Sequence, residues 1–300
     1  MSRRILLIDD DRLQHRLLQA HFQTFKTGLY TLDGASTYED GLAKLRSGAY
    51  AACLLDYQLG ERDGLQLIRD AVAAGCRTPI IFLTAETADD IDLAAMNAGA
   101  LDYLVKGEIT PRMVERSLRY ALKLADSLEA LRQLATRDEL TGLLNRRELD
   151  RVLAEECERD LRFGHEFALI MLDVDHFKAV NDRHGHPAGD AVLKEVARRL
   201  TAEIRTVDRA ARFGGEEFAV VVTESDAATA LEIARRICAT IAREPVGLPS
   251  GEKLSVTISA GVAALPRDSR TDGALIAAAD KALYAAKQRG RNRAVDFTAL

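Results

Sequence analysis

The chain has 300 residues, of which 47% are hydrophobic, and a formal net charge of −5. At about 150 residues per domain, this length predicts two domains, and the hydrophobic fraction is sufficient for two buried cores. The acidic balance, the 5% aromatic content and the lack of Trp argue against a protein that binds polymeric DNA or RNA. There is no apolar run of about 18 residues, no signal-peptide core and no cysteine pair at zinc-ligand spacing, so we expect a soluble cytoplasmic protein.

The first 111 residues alternate short apolar runs with amphipathic stretches, and they account for the whole net negative charge. The five runs lie at residues 5–8, 29–32, 51–55, 80–83 and 103–105. This alternation predicts an α/β fold with a doubly wound, five-stranded parallel sheet.

Polar residues follow four of these predicted strands: Asp9 with Asp10, then Asp56, Thr84 and Lys106. Because the carboxyl ends of parallel strands meet at one edge of the sheet, we expect these side chains to converge. Three carboxylates there can bind Mg²⁺, and one of them can attack a phosphoryl group. The Thr hydroxyl and the Lys ammonium would stabilise the oxygens of the added group.

This part of the chain, about residues 1–125, resembles the receiver domain of two-component response regulators. The resemblance rests on Leu7-Ile8-Asp9-Asp10, Leu54-Leu55-Asp56, Phe82-Leu83-Thr84-Ala85 and Tyr103-Leu104-Val105-Lys106. It implies a flavodoxin-like fold, a histidine kinase partner, Asp56 as the phospho-acceptor, Mg²⁺ bound by Asp9, Asp10 and Asp56, and Thr84, Lys106 and Tyr103 as switch residues. The chain departs from the family at Gly107, where the usual Pro and its cis peptide are missing, and after Asp56, where Met-Pro is missing. The alternatives are solvated acidic strand ends, or a receiver that is never phosphorylated.

Residues 112–141 contain neither Gly nor Pro and predict one helix of roughly 45 Å. Its small and apolar residues follow a 3-4 repeat that is typical of a short coiled coil: Val114, Ser117, Ala121, Leu124, Leu128, Leu131 and Ala135. We expect the start of the helix to pack on the first domain and residues 112–137 to form a stalk that pairs two subunits. The alternative is a last helix that only packs on that domain.

From residue 138 to 298 the pattern predicts a second α/β domain with a mixed, partly antiparallel sheet. Strands are predicted at 167–172, 217–223 and 254–261, and helices at 189–204, 226–242 and 272–289. Gly214-Gly215 indicates a hairpin turn that brings backbone close to a polyphosphate, and Glu216 and Glu217 behind it can bind Mg²⁺ or take a proton. Strand periodicity places Asp173 and Asp175 on the same side.

Four segments in order resemble the GGDEF family of diguanylate cyclases over about residues 136–298. They are Leu172-Asp173-Val174-Asp175-His176-Phe177-Lys178, Asn181 with Gly185 to Asp190, Arg212 to Phe218, and Lys287 with Arg291, preceded by the shared stretch from Asp138 to Arg147. The resemblance implies a palm-like nucleotide cyclase fold that condenses two GTP into cyclic di-GMP and two pyrophosphates.

The resemblance also implies a role for each matching position. Asp173, the Val174 carbonyl and Glu216 would hold Mg²⁺, with Mn²⁺ as a second candidate ion, and Glu217 would bind metal or deprotonate the 3′-hydroxyl. The remaining substrate contacts would be Gly214 and Gly215 at the turn, Phe177, Lys178, Lys287 and Arg291 at the phosphates, Asn181 and Asp190 at the guanine edge, and Leu140 and Leu193 in the guanine pocket. An acceptor carboxylate suits the N1–H and amine donors of guanine and disfavours ATP. Each domain holds one GTP, so two facing half-sites, and hence a homodimer, are expected.

Arg205 and Asp208, five residues before the Gly-Gly turn, resemble the Arg-x-x-Asp inhibitory site of that family, which binds cyclic di-GMP, with Arg236 as a second guanidinium. The alternative there is a surface ion pair of little energetic value. For the domain as a whole, the alternatives are a catalytically silent module that binds GTP or cyclic di-GMP, and a cyclase with relaxed purine specificity.

Overall fold

The computed structural model describes residues 2–25, 29–85 and 89–300. The chain forms two compact units, Met1–Leu131 and Arg132–Leu300, and the division lies within the predicted stalk. Within the described ranges, no helix combines the length and the apolar character that crossing a membrane requires.

The first unit contains a parallel sheet with strand order β2-β1-β3-β6-β7. Its strands are β1 Arg3–Ile8, β2 Tyr30–Ala35, β3 Ala52–Asp56, β6 Ile80–Thr84 and β7 Asp102–Val105, and β4 Gln58–Leu59 and β5 Arg62–Asp63 form a separate short hairpin. The helices are α1 Arg12–Gln23, α2 Tyr38–Arg46, α3 Gly64–Ala73, α4 Asp89–Ala98 and α5 Pro111–Thr136. The predicted five-stranded doubly wound sheet is therefore confirmed.

The central strands of this sheet are buried on both faces, as a parallel sheet covered by helices requires. Every residue of β3 and β6 is buried, as are the last four residues of β1. Side-chain oxygens fix where two helices begin: Asp11 accepts from the Leu13 amide before α1, and Asp63 from the Gln66 amide before α3. The polar residues that follow the strands are thereby held on a rigid frame.

Helix α5 is shorter than the predicted helix over 112–141, because the chain turns after Thr136. The Asp138 carboxylate accepts hydrogen bonds from the amide and hydroxyl of Thr141, and the Thr136 carbonyl accepts from the Asn145 amide. In its first half, α5 buries Val114, Ser117, Leu118, Ala121 and Leu122. In its second half, Leu124, Leu128, Leu131 and Leu134 are exposed, which leaves an apolar stripe on the predicted stalk.

The second unit has a five-stranded sheet of order β14-β13-β8-β10-β9. The sheet is mixed and partly antiparallel, as predicted. Its strands are β8 Phe167–Val174, β9 Arg209–Gly214, β10 Glu217–Val222, β13 Ile258–Leu265 and β14 Ala294–Asp296, with β11 Val246–Gly247 and β12 Lys253–Leu254 paired separately. The helices are α6 Arg146–Phe163, α7 Phe177–His184, α8 His186–Ala202, α9 Ala227–Arg243 and α10 Asp272–Gln288. Neighbouring strands run antiparallel except β13 and β14, which are parallel.

One predicted strand is displaced in this unit, and several elements have no predicted counterpart. The strand predicted at 254–261 is displaced to Ile258–Leu265, because Leu254 pairs in β12 and Thr257 contacts Asp175 instead of continuing a strand. Helix α6 has no counterpart among the predicted helices, since it is highly charged and buries only Leu149, Val152, Leu153 and Glu156. Helix α7 and the short edge strand β14 were also not predicted.

Candidate functional site

In the first unit, the acidic residues at the sheet edge converge. Carboxylate oxygens of Asp9, Asp10 and Asp56 lie within 4.8 Å of one another. The Lys106 Nζ atom is 2.8 Å from an oxygen of Asp9 and 2.8 Å from an oxygen of Asp56. Three carboxylates on strand ends are a donor set that fits Mg²⁺, so the residues present suit that ion.

The electrostatics of this pocket reflect burial and crowding of charge. Burial raises the pKa of Asp56, repulsion from Asp9 adds to the rise, and the hydrogen bond from Lys106 opposes it. Burial lowers the pKa of Lys106, but hydrogen bonds to Asp56 and Asp9 outweigh it, and the pKa is raised overall. Lys106 is therefore held protonated between two carboxylates, where a phosphoryl group on Asp56 would also meet a positive charge.

The other predicted receiver residues lie on the neighbouring strands β6 and β7. Thr84 is buried at the end of β6, and Tyr103 in β7 is 39% exposed. The bond between Lys106 and Gly107 is trans, since Leu265–Pro266 is the one cis bond within the described ranges. The position where the family usually has Pro thus carries Gly107, and the peptide bond before it is trans.

The hairpin of β4 and β5 replaces the Met-Pro loop that the family carries after the phospho-acceptor. Its Gly60 amide donates to Oδ2 of Asp10 over 2.9 Å. Gly64, which follows it, packs so closely that a Cβ there would lie 2.2 Å from the Asp56 carbonyl oxygen. The sequence showed only that this loop was unusual, and the hairpin itself was not predicted.

In the second unit, the predicted catalytic carboxylates lie on two neighbouring strands. Glu217 in β10 is the register partner of Asp173 in β8, and the Val174 amide donates to the Glu216 carbonyl over 3.3 Å. Between β9 and β10, Gly215 has φ +48°, a left-handed conformation that favours glycine. The hairpin turn thus places Glu216 and Glu217 directly beside Asp173, as the motif implied.

These three carboxylates repel one another in a partly buried site. Burial raises the pKa of Asp173, and Lys287 and Arg291 oppose the rise. Burial and the charge of Asp173 raise the pKa of Glu216 and of Glu217. Carboxylates that repel one another in this way are oxygen donors that a divalent cation would stabilise. Within the described residues, their oxygens are spaced more widely than those of Asp9, Asp10 and Asp56.

Lys287 contacts the acidic group rather than standing apart from it. Its Nζ atom is 2.8 Å from Oδ2 of Asp173, so it neutralises the carboxylate that the resemblance assigns to metal. Arg291 is exposed just beyond α10 and lies close enough to Asp173 to oppose the rise in the pKa of that carboxyl. The two predicted phosphate-binding cations are therefore brought to the same edge as the carboxylates.

Arg212 joins the Gly-Gly turn to the start of the second unit. Its Nε and Nη2 atoms donate to the Gly215 carbonyl over 2.9 and 2.7 Å, and Nη1 lies 3.1 Å from Asp138. Both residues belong to the motifs that carry the family resemblance, but their sequence positions gave no indication that they meet. The turn is consequently held by a side chain that the sequence analysis gave no role.

Three of the predicted guanine-binding residues, Asn181, Asp190 and Leu193, lie on α7 and α8, and Leu140 lies between α5 and α6. A Cβ on Gly189 would lie 2.0 Å from Oδ1 of Asn181, so the absence of a side chain lets Asn181 pack against α8 beside the exposed Asp190. Leu193 is buried and Leu140 is half-buried against the same core cluster. Of the residues predicted at the phosphates, Phe177 is buried at the start of α7 and Lys178 is exposed next to it.

The predicted inhibitory residues are not all together. Arg205 bonds to Asp208, to the Thr223 carbonyl and to the Ser225 hydroxyl, the last over 2.8 Å. It lines a cavity of about 670 Å³ of mixed charge. The other charged residues of the lining are Arg151, Arg159, Arg162, Arg209, Glu155, Glu156, Glu158 and Glu224. Arg236 is directed to Glu203, with Nε 2.6 Å from Oε2, and does not line this cavity.

Two family models match the chain in the order that the units predict. Residues 5–117 match the response regulator receiver domain, and residues 135–293 match the GGDEF domain of diguanylate cyclases. The response regulator PleD of Caulobacter vibrioides is 40% identical over 178 residues, which are 59% of this chain and 39% of PleD. This chain spans less than half the length of the curated relatives it matches.

Solved structures resemble the second part of the chain. The coiled coil and GGDEF domain of DgcB from Caulobacter crescentus, in complex with c-di-GMP, align with TM-score 0.56 and 33% identity over 62% of this chain and 97% of that one. The cyclase SiaD of Pseudomonas aeruginosa aligns with TM-score 0.53 and 39% identity over 62% of this chain and 70% of its own.

Proposed function

Since the chain belongs to the GGDEF family and carries a response regulator receiver domain, we propose that it condenses two GTP into cyclic di-GMP and two pyrophosphates. The observation that carries this proposal is the pairing of Asp173 with Glu217 across β8 and β10, at a Gly-Gly turn that bears Glu216. A catalytically silent module would have no need of all three carboxylates in one place.

The carboxylates and the turn have distinct tasks in this proposal. Asp173, the Val174 carbonyl and Glu216 would hold Mg²⁺, which offsets the charge that develops on the attacked phosphate. Glu217 either joins these ligands or takes the proton of the attacking 3′-hydroxyl. The bond from the 3′-oxygen to the α-phosphorus forms as the bond to pyrophosphate breaks, and Lys287 and Arg291 stabilise the leaving phosphates.

Guanine selection rests on Asn181 and Asp190. The Asp190 carboxylate is an acceptor for the N1–H and the exocyclic amine of guanine, whereas adenine presents an acceptor at N1. Unpaired polar groups in a binding site are costly, so ATP is disfavoured. Leu140 and Leu193 would contact the apolar faces of the base, with Phe177 and Lys178 near the phosphates.

We propose that phosphorylation of Asp56 by a histidine kinase controls this activity. Asp9, Asp10 and Asp56 would hold the receiver Mg²⁺, and Thr84, Lys106 and Tyr103 would respond to the phosphoryl group. One GTP per domain requires two domains face to face, so the active species is a homodimer. The apolar stripe of Leu124, Leu128, Leu131 and Leu134 supports pairing through α5, which would keep the two domains at high effective concentration.

Product would limit the reaction by binding at Arg205 and Asp208. The cavity that Arg205 lines contains five arginines and four glutamates. Its guanidinium groups support an anionic dinucleotide there, because they bind phosphates and guanine edges in a bidentate manner. Arg236 would have to leave Glu203 to take part in this binding.

The test is incubation of the full chain with Mg²⁺ and either GTP or ATP, before and after treatment with beryllofluoride, followed by chromatography of the products. We expect cyclic di-GMP from GTP and no cyclic dinucleotide from ATP. The Glu217→Gln variant is the matched control, and it should be inactive. Absence of any cyclic dinucleotide from GTP, even after beryllofluoride, would reject the enzyme and leave the binding module.

A further inference from the structure

The Asp175 carboxylate is buried and fully engaged, although none of the proposed catalytic steps uses it. It is 5% exposed and accepts three hydrogen bonds. The Thr257 hydroxyl lies 2.7 Å from Oδ2, the Ser259 hydroxyl 2.7 Å from Oδ1, and the Asn292 amide 3.1 Å from Oδ2. A buried carboxylate with this many donors is held in one orientation.

These donors come from two segments that are distant in sequence. Thr257 lies directly before β13, and Ser259, within that strand, is the register partner of Asp173. Asn292 lies in the loop after α10, 117 residues beyond Asp175. Asp175 therefore ties the end of β8, which bears the proposed metal ligands, to the loop that bears Arg291.

The loop that Asp175 holds has an unfavourable backbone. Arg291 has φ +61° and Asn292 has φ +47°, both in the left-handed region, which residues with a Cβ adopt at a cost. The loop also receives support from the Arg291 amide, which donates to the Ala286 carbonyl, and from the Arg293 carbonyl, which accepts from the Ala260 amide. The bond from Asn292 to Asp175 is the one that fixes this turn to β8.

We infer that Asp175 is a positioning residue that holds Arg291 in place to bind the GTP phosphates. The inference rests on the proposed function, since it needs a nucleotide triphosphate in the site. Asp175 acts by accepting hydrogen bonds from three neutral donors, so the position of its oxygens matters for this task and its charge is not needed. It is therefore separate from the carboxylates that would bind metal.

Two substitutions separate hydrogen bonding from charge. Asp175→Ala removes the acceptor of the Asn292 amide and leaves the Ser259 hydroxyl buried without its partner. Asp175→Asn keeps an oxygen for Thr257 and Asn292, and its NH₂ group can donate to the Ser259 hydroxyl, so the turn is retained without the charge. Ser259→Ala is the control, because it removes one donor and leaves the bond to Asn292.

The experiment measures KM for GTP and kcat in the full chain, in a double-mutant cycle with Arg291→Ala. We expect Asp175→Ala and Arg291→Ala each to raise KM about tenfold, which corresponds to the loss of one charged phosphate contact, with a smaller change in kcat. The double variant should be no worse than Arg291→Ala alone. Asp175→Asn and Ser259→Ala should stay within about twofold of wild type.

Additive effects in the cycle, or an Asn variant as impaired as the Ala variant, would overturn the inference. If Asp175→Ala does not fold, Asp175→Ser takes its place in the same cycle. If the wild type makes no cyclic dinucleotide, the proposed function fails. The same double-mutant cycle is then carried out on the dissociation constant for Mg²⁺–GTP. Absence of GTP binding in the wild type would overturn the inference as well.

Discussion

Gly189→Ala should weaken guanine recognition without weakening the fold. The new Cβ would lie 2.0 Å from Oδ1 of Asn181 and 3.0 Å from Cζ of Phe177. A separation of 2.0 Å is impossible for these atoms, so the Asn181 side chain must rotate away from α8, while the Phe177 ring needs only a small shift.

Two opposing terms set the stability of this variant. Replacing a helical Gly by Ala stabilises a helix by about 1 kcal/mol. Moving Asn181 away from its preferred rotamer costs about 0.5–1.5 kcal/mol. The terms nearly cancel, and the melting temperature should therefore change by less than about 3 °C.

The effect on substrate should be larger, because the displaced Asn181 no longer reaches the base. Loss of one hydrogen bond to guanine corresponds to about 1.4 kcal/mol, or a tenfold rise in KM for GTP, with a matching fall in the preference for GTP over ATP. Gly273→Ala is the matched control, since a Cβ on Gly273, in the first turn of α10, meets no atom within 4 Å.

The prediction is checked by steady-state kinetics of both variants with GTP and with ATP. A thermal melt of each variant measures its stability. If Gly189→Ala has the same KM for GTP and the same purine preference as the wild type, the placement of Asn181 at the guanine is refuted. A melting temperature lowered by more than about 5 °C would refute the premise that Asn181 can move at little cost.

Three further outcomes are expected. Asp56→Ala should abolish the rise in cyclase activity that an acyl phosphate produces in wild type, and a retained response would remove Asp56 as the phospho-acceptor. Arg205→Ala should relieve inhibition by added cyclic di-GMP, whereas inhibition as strong as in wild type would leave the bond from Arg205 to Asp208 as a structural ion pair. Glu195→Gln should lower the free energy of unfolding by about 1–2 kcal/mol at pH 7, because Arg198 and Arg199 hold the pKa of Glu195 at about 2. A depressed carboxyl pKa stabilises the fold above the ordinary value near 4.5, so the difference between wild type and variant should shrink as the pH falls from 5 towards 2. A difference as large at pH 2.5 as at pH 7 would contradict this reasoning.

The receiver site could be predicted from the sequence because its geometry follows from topology. In a parallel sheet every strand ends at the same edge, so a residue that follows an apolar run has a known position even when its neighbours are unknown. Asp9, Asp56 and Lys106 meet for that reason alone. The hairpin after Asp56 could not be anticipated in the same way, since its two-residue strands are too short to show a period.

In the second unit, local patterns identified the chemical groups and not the contacts that arrange them. The motif around Gly214 predicts a turn with two carboxylates, and the register of β8 and β10 then sets Glu217 opposite Asp173. The displaced start of β13 shows the limit of such patterns. Residues 255–257 are Ser-Val-Thr, whose alternating polar and apolar side chains and two β-branched residues suit a strand. Thr257 instead uses its hydroxyl to hold Asp175.

The contact between Asp138 and Arg212 has a consequence that neither motif carries by itself. The two residues are 74 positions apart. The Arg212 guanidinium that contacts Asp138 also donates to the Gly215 carbonyl. Asp138 is two residues beyond the end of α5. The Arg212 side chain therefore connects the segment that leaves the helix to the Gly-Gly turn. Because a guanidinium has a planar, fixed set of donors, a change in the direction in which the chain leaves α5 must alter either the contact with Asp138 or the one with Gly215. A covalent path of a few residues and one partly buried ion pair therefore separate the end of the helix from the Gly-Gly turn.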